Sequence, residues 1–196
     1  MISISDRQEL TLIAMRHGFS GVGCEVRDVA DRLLNAGVDH DALVTIYLAE
    51  PDDGEAIVRA MERFLIACNI RIPDRDTAIW GILEYHIDRI ARRSGDPLDR
   101  LREMMDAVYY EYDFREKTIQ WLGDSHGIHH LVGYFWVRES LMDRPDEVSC
   151  NGKYGVEGLA ELKNEIVEAA KTWLDQYSGR VDLSLDKHSA KSRSKT

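Results

Sequence analysis

No run in this chain approaches the roughly 20 consecutive apolar residues that a membrane helix needs. The start, Met1-Ile-Ser-Ile-Ser-Asp6, has no basic segment leading into an apolar one, so no secretory signal is expected. Cysteine is scarce: Cys24, Cys68 and Cys150 are odd in number and far apart. That spacing excludes a disulfide framework and a zinc knuckle, and points to a reducing, cytoplasmic setting. Gly-x-Ser-x-Gly, His-Glu-x-x-His, Glu-x-x-His and the phosphate-loop pattern are all missing. Gly18, Gly21 and Gly23 lie between an apolar run and a helix, but no Lys-Ser/Thr follows them, so they read as an inter-helix turn.

Basic charge is also short. The 196 residues carry a net charge of −10. The tail from Ser178 to Thr196 has five basic and two acidic residues, so it is +3 and the body up to Tyr177 is −13. An acidic body repels nucleic acid, which binds cationic footprints. It suits a partner protein with a basic surface.

What the chain has in quantity is helical periodicity. Hydrophobic residues make up 44% of it, enough for a core without staples. Ser5-x-x-Gln8 reads as a capping box before a helix over 5–16. Val26, Val29, Leu33 and Leu34 form one face of a helix over 25–36 that stops at Gly37. Asp39 is a cap for residues 40–49. The spacing further predicts helices starting near Asp52 and over 76–93, the latter ended by Gly95. Asp96-Pro97 opens another, with a cap followed by proline at the first helical position. Asp113-x-x-Glu116 predicts a short helix ending near Gly123, and Asp124 or Ser125 caps one running to about Met142. Residues 144–155, with Asn151-Gly152, read as a loop before a long helix over 156–177. The expectation is an all-α domain over residues 1–177. It has about nine short helices in irregular or solenoid-like packing and a disordered basic tail over 178–196. If residues 10–15 and 42–48 are strands instead, the class becomes α+β with a small sheet.

The stretch Tyr109–Glu139 holds eight of the sixteen aromatic residues and three of the seven histidines. Tyr109, Tyr110, Tyr112 and Trp121 beside Asp113 and Asp124 form the pattern of a protein-binding hot spot, or of a pocket lined from Tyr109 to Trp136. On one helix His126, His129 and His130 would share a side, away from Ile128, Leu131, Val132 and Phe135. With Asp124 they are the candidate ligands for zinc or another divalent transition metal, in a metal-binding protein or metal-dependent enzyme. The protein-binding reading needs no cofactor.

Carboxylates add two further expectations. Glu84 and Glu139 fall among apolar stripes, where each needs a partner such as Arg89 or Arg138. Glu157, Glu161, Glu165, Glu168 and Asp175 line one side of the last helix, with Lys171 the only base near them. Its packing comes from Leu159 to Trp173, so this acidic stripe has no structural need for its charge; it reads as a solvated face or, functionally, as a docking stripe for a basic partner.

Trp80-x-x-Leu83, Asp96-Pro97-Leu98, Tyr109-x-x-x-Asp113-Phe114 and the upstream Tyr47-Leu-Ala occur in an order that resembles a family of uncharacterised bacterial helical domains found among toxin-immunity proteins. The likeness runs to about Trp136. It implies a helical, non-enzymatic protein with no catalytic residues, of the kind that inhibits a basic toxin domain.

Overall fold

The computed structural model describes residues 2–20, 25–50, 52–115 and 117–181. Gly21, Gly23, Cys24, Glu116 and the tail from 182 onward, all singled out from the sequence, lie outside the described residues. Eight α-helices are present among those described: α1 (Ile4–Ser20), α2 (Glu25–Asn35), α3 (Asp41–Leu48), α4 (Gly54–Ala67), α5 (Arg75–Ala91), α6 (Pro97–Val108), α7 (His129–Asp143) and α8 (Gly155–Tyr177). The only sheet among them is one hairpin, β1 (Ser149–Cys150) with β2 (Lys153–Tyr154). None of these helices is long and apolar enough to cross a membrane. The fold is all-α, and the α+β alternative falls, because residues 10–15 and 42–48 are helical.

The chain divides into two compact units, one up to Ile79 and one from Trp80 to Arg180. In the first, α3 packs on both α2 and α4. Its α1 buries Leu10, Leu12, Ile13, Ala14 and Met15. A helix enclosed on most sides loses its 3.6-residue pattern, which is why this run resembles a strand. The capping box sits two residues earlier than Ser5-x-x-Gln8. Ser3 Oγ accepts the Asp6 N–H at 3.1 Å, and the Asp6 carboxylate accepts the Ser3 N–H at 3.2 Å. At α3 the cap is His40, whose Nδ1 accepts the Ala42 N–H at 3.1 Å, so Asp39 is not used. His17 Nε2 meets Glu62 Oε1 at 2.9 Å and ties α1 to α4. Gly18 lies so close to Pro73 that a β-carbon there would be 2.3 Å from the Pro73 carbonyl oxygen.

Three helices end in the same paired hydrogen bonds with a left-handed residue after the last turn. Those residues are Gly37, Asn69 and Arg93. At α5 the stop is therefore Arg93, with φ 52°, two residues before the expected Gly95.

In the second unit α8 packs on α6, α7 and the hairpin. Asp96 caps α6 as expected, accepting the Leu98 N–H at 2.9 Å, and also meets Lys163 Nζ at 2.6 Å. Asn151 and Gly152 both have positive φ, as a two-residue hairpin turn requires. Gly158 lets α8 approach this hairpin: a β-carbon would lie 2.6 Å from the Lys153 carbonyl oxygen. Leu101, Met104, Ile128, Leu162, Ile166 and Trp173 are among the residues that fill the core.

The expected tail starts with ordered contacts. Glu84 Oε1 accepts the Gly179 N–H at 3.0 Å, so its partner is backbone rather than Arg89. The Arg180 guanidinium lies over the Trp80 and Tyr177 rings at 4.6 and 4.7 Å. At the other inward position the assignment reverses: Glu139 is exposed, and the buried charge is its neighbour Arg138, which hydrogen-bonds to it.

Candidate functional site

The described residues from Tyr109 to Gly123 form a loop of turns, not a capped helix. Local side-chain hydrogen bonds compete with helix here. Asp113 Oδ1 accepts the Arg115 N–H at 2.9 Å, closing a turn where the helix was expected to start. Thr118 Oγ1 donates to the Phe114 carbonyl at 2.6 Å. Gly123 and Gly127 both adopt left-handed backbone and bracket a 3-10 turn, Asp124–His126. This break separates His126 from α7.

Asp124 organises the loop from below. Its carboxylate accepts the N–H groups of Ile119 (3.0 Å), Gln120 (2.5 Å) and Trp121 (2.8 Å). The bonds from Trp121, Ile119 and Gln120 hold its pKa down from 3.8 to about 2. Asp124 is thus a scaffold for the loop, and its oxygens are already engaged. A carboxyl whose folded pKa lies below the unfolded one adds stability above the unfolded value and loses it as pH falls through the folded one. Asp124→Asn should therefore melt below the wild type at neutral pH. The gap should close as pH drops from 3.8 towards about 2. Melting curves of both proteins across that range check this; a gap independent of pH would remove the charge from the explanation.

The loop presents large side chains to solvent. Tyr110, Ile119 and Trp121 are 66%, 87% and 61% exposed. Tyr112 and Phe114 point the other way and are buried, so Tyr112 is a core residue rather than a contact. Tyr109 is half-buried and meets Tyr110, Phe114 and Trp136 ring to ring. Residues 109–115 with Leu122 surround an open cavity of about 350 Å³.

The structure sets His126 apart from His129 and His130. His126 is buried in an aromatic core, its ring 4.8, 5.1 and 5.5 Å from those of Trp80, Tyr112 and Phe114. Its Nδ1 lies 2.9 Å from Ser125 Oγ, and its carbonyl accepts the Trp173 indole N–H at 2.8 Å. His129 and His130 open α7 with ring centres 4.1 Å apart. Burial, and then the neighbouring His130, push the His129 pKa down, against a smaller upward pull from Asp124. Among the described residues no three His, Cys, Asp or Glu side chains converge as ligands for a metal ion. The set Asp124, His126, His129 and His130 is accordingly not gathered by the fold.

The acidic stripe is partly structural. Glu161 hydrogen-bonds to Lys153 and accepts Asn151 Nδ2 at 3.2 Å. Glu165 accepts the same Nδ2 at 2.9 Å and the Tyr134 hydroxyl at 3.1 Å. These two glutamates fasten the hairpin to α8, so at Glu161 and Glu165 the expectation that the stripe has no structural need for its charge is corrected. Glu168 lies 2.7 Å from Lys171, and Glu157 is exposed.

Two groups picked separately from the sequence, the His129–His130 pair and Glu165 with Glu168, meet around one cavity of about 440 Å³ between α7 and α8. Its wall also includes Tyr134, Thr172, Trp173, Gln176 and Tyr177. Sequence spacing within either helix does not reveal this meeting, which depends on the packing of α7 against α8. Comparison with protein-family models, with curated proteins and with solved structures finds no match to this chain.

Proposed function

We propose that this protein is a non-enzymatic binding domain that docks another protein through the exposed aromatic loop Tyr109–Trp121. The observation that carries this reading is the set of exposed side chains Tyr110, Ile119 and Trp121, the last two on a backbone whose N–H groups Asp124 holds in place. Tyr and Trp are enriched in the few residues that dominate binding energy, and apolar groups held in water are costly unless something covers them. The acidic body favours a partner with a basic surface, through complementary charge and faster encounter. Glu157 and Glu168 are the stripe members best placed to add to that steering, since Glu161 and Glu165 serve the hairpin. The likeness to domains found among toxin-immunity proteins makes a basic toxin domain the finer proposal for the partner, with inhibition by occlusion as the outcome.

The test is the double substitution Tyr110→Ala with Trp121→Ala. A partner captured from native cytosol and then purified should bind the wild type. It should bind the variant more than about thirtyfold more weakly, since interface hot spots cost about 2 kcal/mol or more each. The variant should keep the wild-type helical signal, because both side chains are exposed. Equal affinity and equal salt dependence for the two proteins would sink the reading.

A further inference from the structure

The cavity between the start of α7 and the second half of α8 is independent of the loop surface. It has the size of a small-ligand site, for which about 300–1,000 Å³ is typical. Its chemistry is lopsided. Glu165 and Glu168 bring two carboxylates from successive turns of α8, while His129 and His130 bring two imidazoles from α7. Trp173, Leu131 and Ala169 supply apolar wall. We propose that this cavity binds an organic cation carrying N–H donors, a guanidinium or a primary ammonium, with the carboxylates as counter-charge and an imidazole nitrogen as a further acceptor.

Four observations support this. His129 Nδ1 is shielded from solvent and has no hydrogen-bond partner within the chain, so it is an acceptor or donor in need of a mate. His129 is held towards its neutral form by burial and by His130, which keeps a positive charge from opposing the ligand at neutral pH. The rim already shows its preference: Lys171 Nζ sits 2.7 Å from Glu168 Oε1. Tyr177, on the wall, already carries the Arg180 guanidinium 4.7 Å from its ring centre. An anion would face the two carboxylates, and a purely apolar ligand would leave His129 Nδ1 without a mate.

The probe is methylguanidinium, titrated into the full chain at pH 7.5 while the imidazole signals of His129 and His130 are followed by NMR. Saturable shifts of both are expected, with acetate giving none and tetramethylammonium, which has no N–H donors, binding more weakly. Glu168→Gln should weaken binding by about tenfold, the scale of one charge-assisted hydrogen bond. Lys171→Ala, which releases Glu168 from its internal partner, should strengthen it. Both positions are exposed, so neither change endangers the fold. The capped peptide acetyl-Gly-Arg-Gly-amide separates the sources. Tighter binding than methylguanidinium assigns the cavity to an arginine side chain of a protein, and equal or weaker binding assigns it to a free small cation. Absence of saturable shifts at His129 and His130, or identical titrations for wild type and Glu168→Gln, would overturn the proposal.

Discussion

Trp173→Ala should lower the melting temperature by about 6–20 °C. Trp173 is 3% exposed and lies against Trp80 and Tyr177, with ring centres 6.2 and 5.5 Å away. Removing a buried tryptophan ring costs about 3–5 kcal/mol, through lost transfer energy and the cavity left behind. For a chain of this length each kcal/mol moves the midpoint by about 2–4 °C. The indole N–H adds a polar part to the loss, because the His126 carbonyl would be left without this donor inside the aromatic core. Trp173→Phe separates the two contributions. It keeps a ring but not the donor, and should cost about 1–3 kcal/mol, the range for an unsatisfied buried group. Calorimetry on the two variants should rank alanine well below phenylalanine. Equal losses would mean that the hydrogen bond, not the ring, holds this core.

The second large effect is expected at Gly18, and its sign is the informative part. In an exposed helix interior, glycine to alanine stabilises by about 0.5–1 kcal/mol. Gly18→Ala should do the reverse. The new methyl would meet the Pro73 carbonyl oxygen at 2.3 Å and the proline ring at 3.2 Å. Backbone on the far side cannot swing away as a flexible side chain would, so overpacking of about 1–3 kcal/mol or more should outweigh the propensity gain. Gly133→Ala is the control: it lies within α7 with nothing inside 4 Å of the added carbon. Chemical denaturation should place Gly18→Ala below the wild type and Gly133→Ala level with it or above. If Gly18→Ala proves neutral, α1 and the Pro73 segment are free to separate.

The helices easiest to read were those with one wet face. In α4, α6 and α8 the polar side leaves a clean apolar stripe, and Asp96-Pro97 marks a start that the structure uses unchanged. The runs around Leu12 and Ile46 were ambiguous for a physical reason. In α1 nearly every position from Leu10 to Met15 is buried, and in α3 the β-branched Thr45 and Ile46 imitate a strand. Asn151-Gly152 did carry a strong hairpin signal, the dipeptide that tolerates left-handed backbone at both turn positions, but the short flanking strands obscured it.

The site was legible in composition and not in arrangement. Tyr110 and Trp121 are exposed, as a contact surface requires, whereas Tyr112 turns into the core. Treating His126, His129 and His130 as one helical face overlooked Gly127, whose left-handed backbone ends the 3-10 turn before α7 begins. A β-carbon there would also strike the Tyr177 ring at 2.4 Å. Likewise Glu161 and Glu165 look like spare charge along α8, until the hairpin folds back and uses them.

Asp124 has a consequence for the thermodynamics of any encounter. A loop without helix or strand ordinarily arrives at a partner as an ensemble, and ordering it on contact reduces affinity. Here the amides of Ile119, Gln120 and Trp121 are committed to one carboxylate within the chain itself. The entropy of ordering that backbone falls on folding, leaving association to restrict mainly the exposed side chains. The Ile119–Trp121 end of the loop therefore behaves less like a flexible arm than like a moulded edge. Its recognition should be selective for shape, with little of the promiscuity that adaptable loops allow.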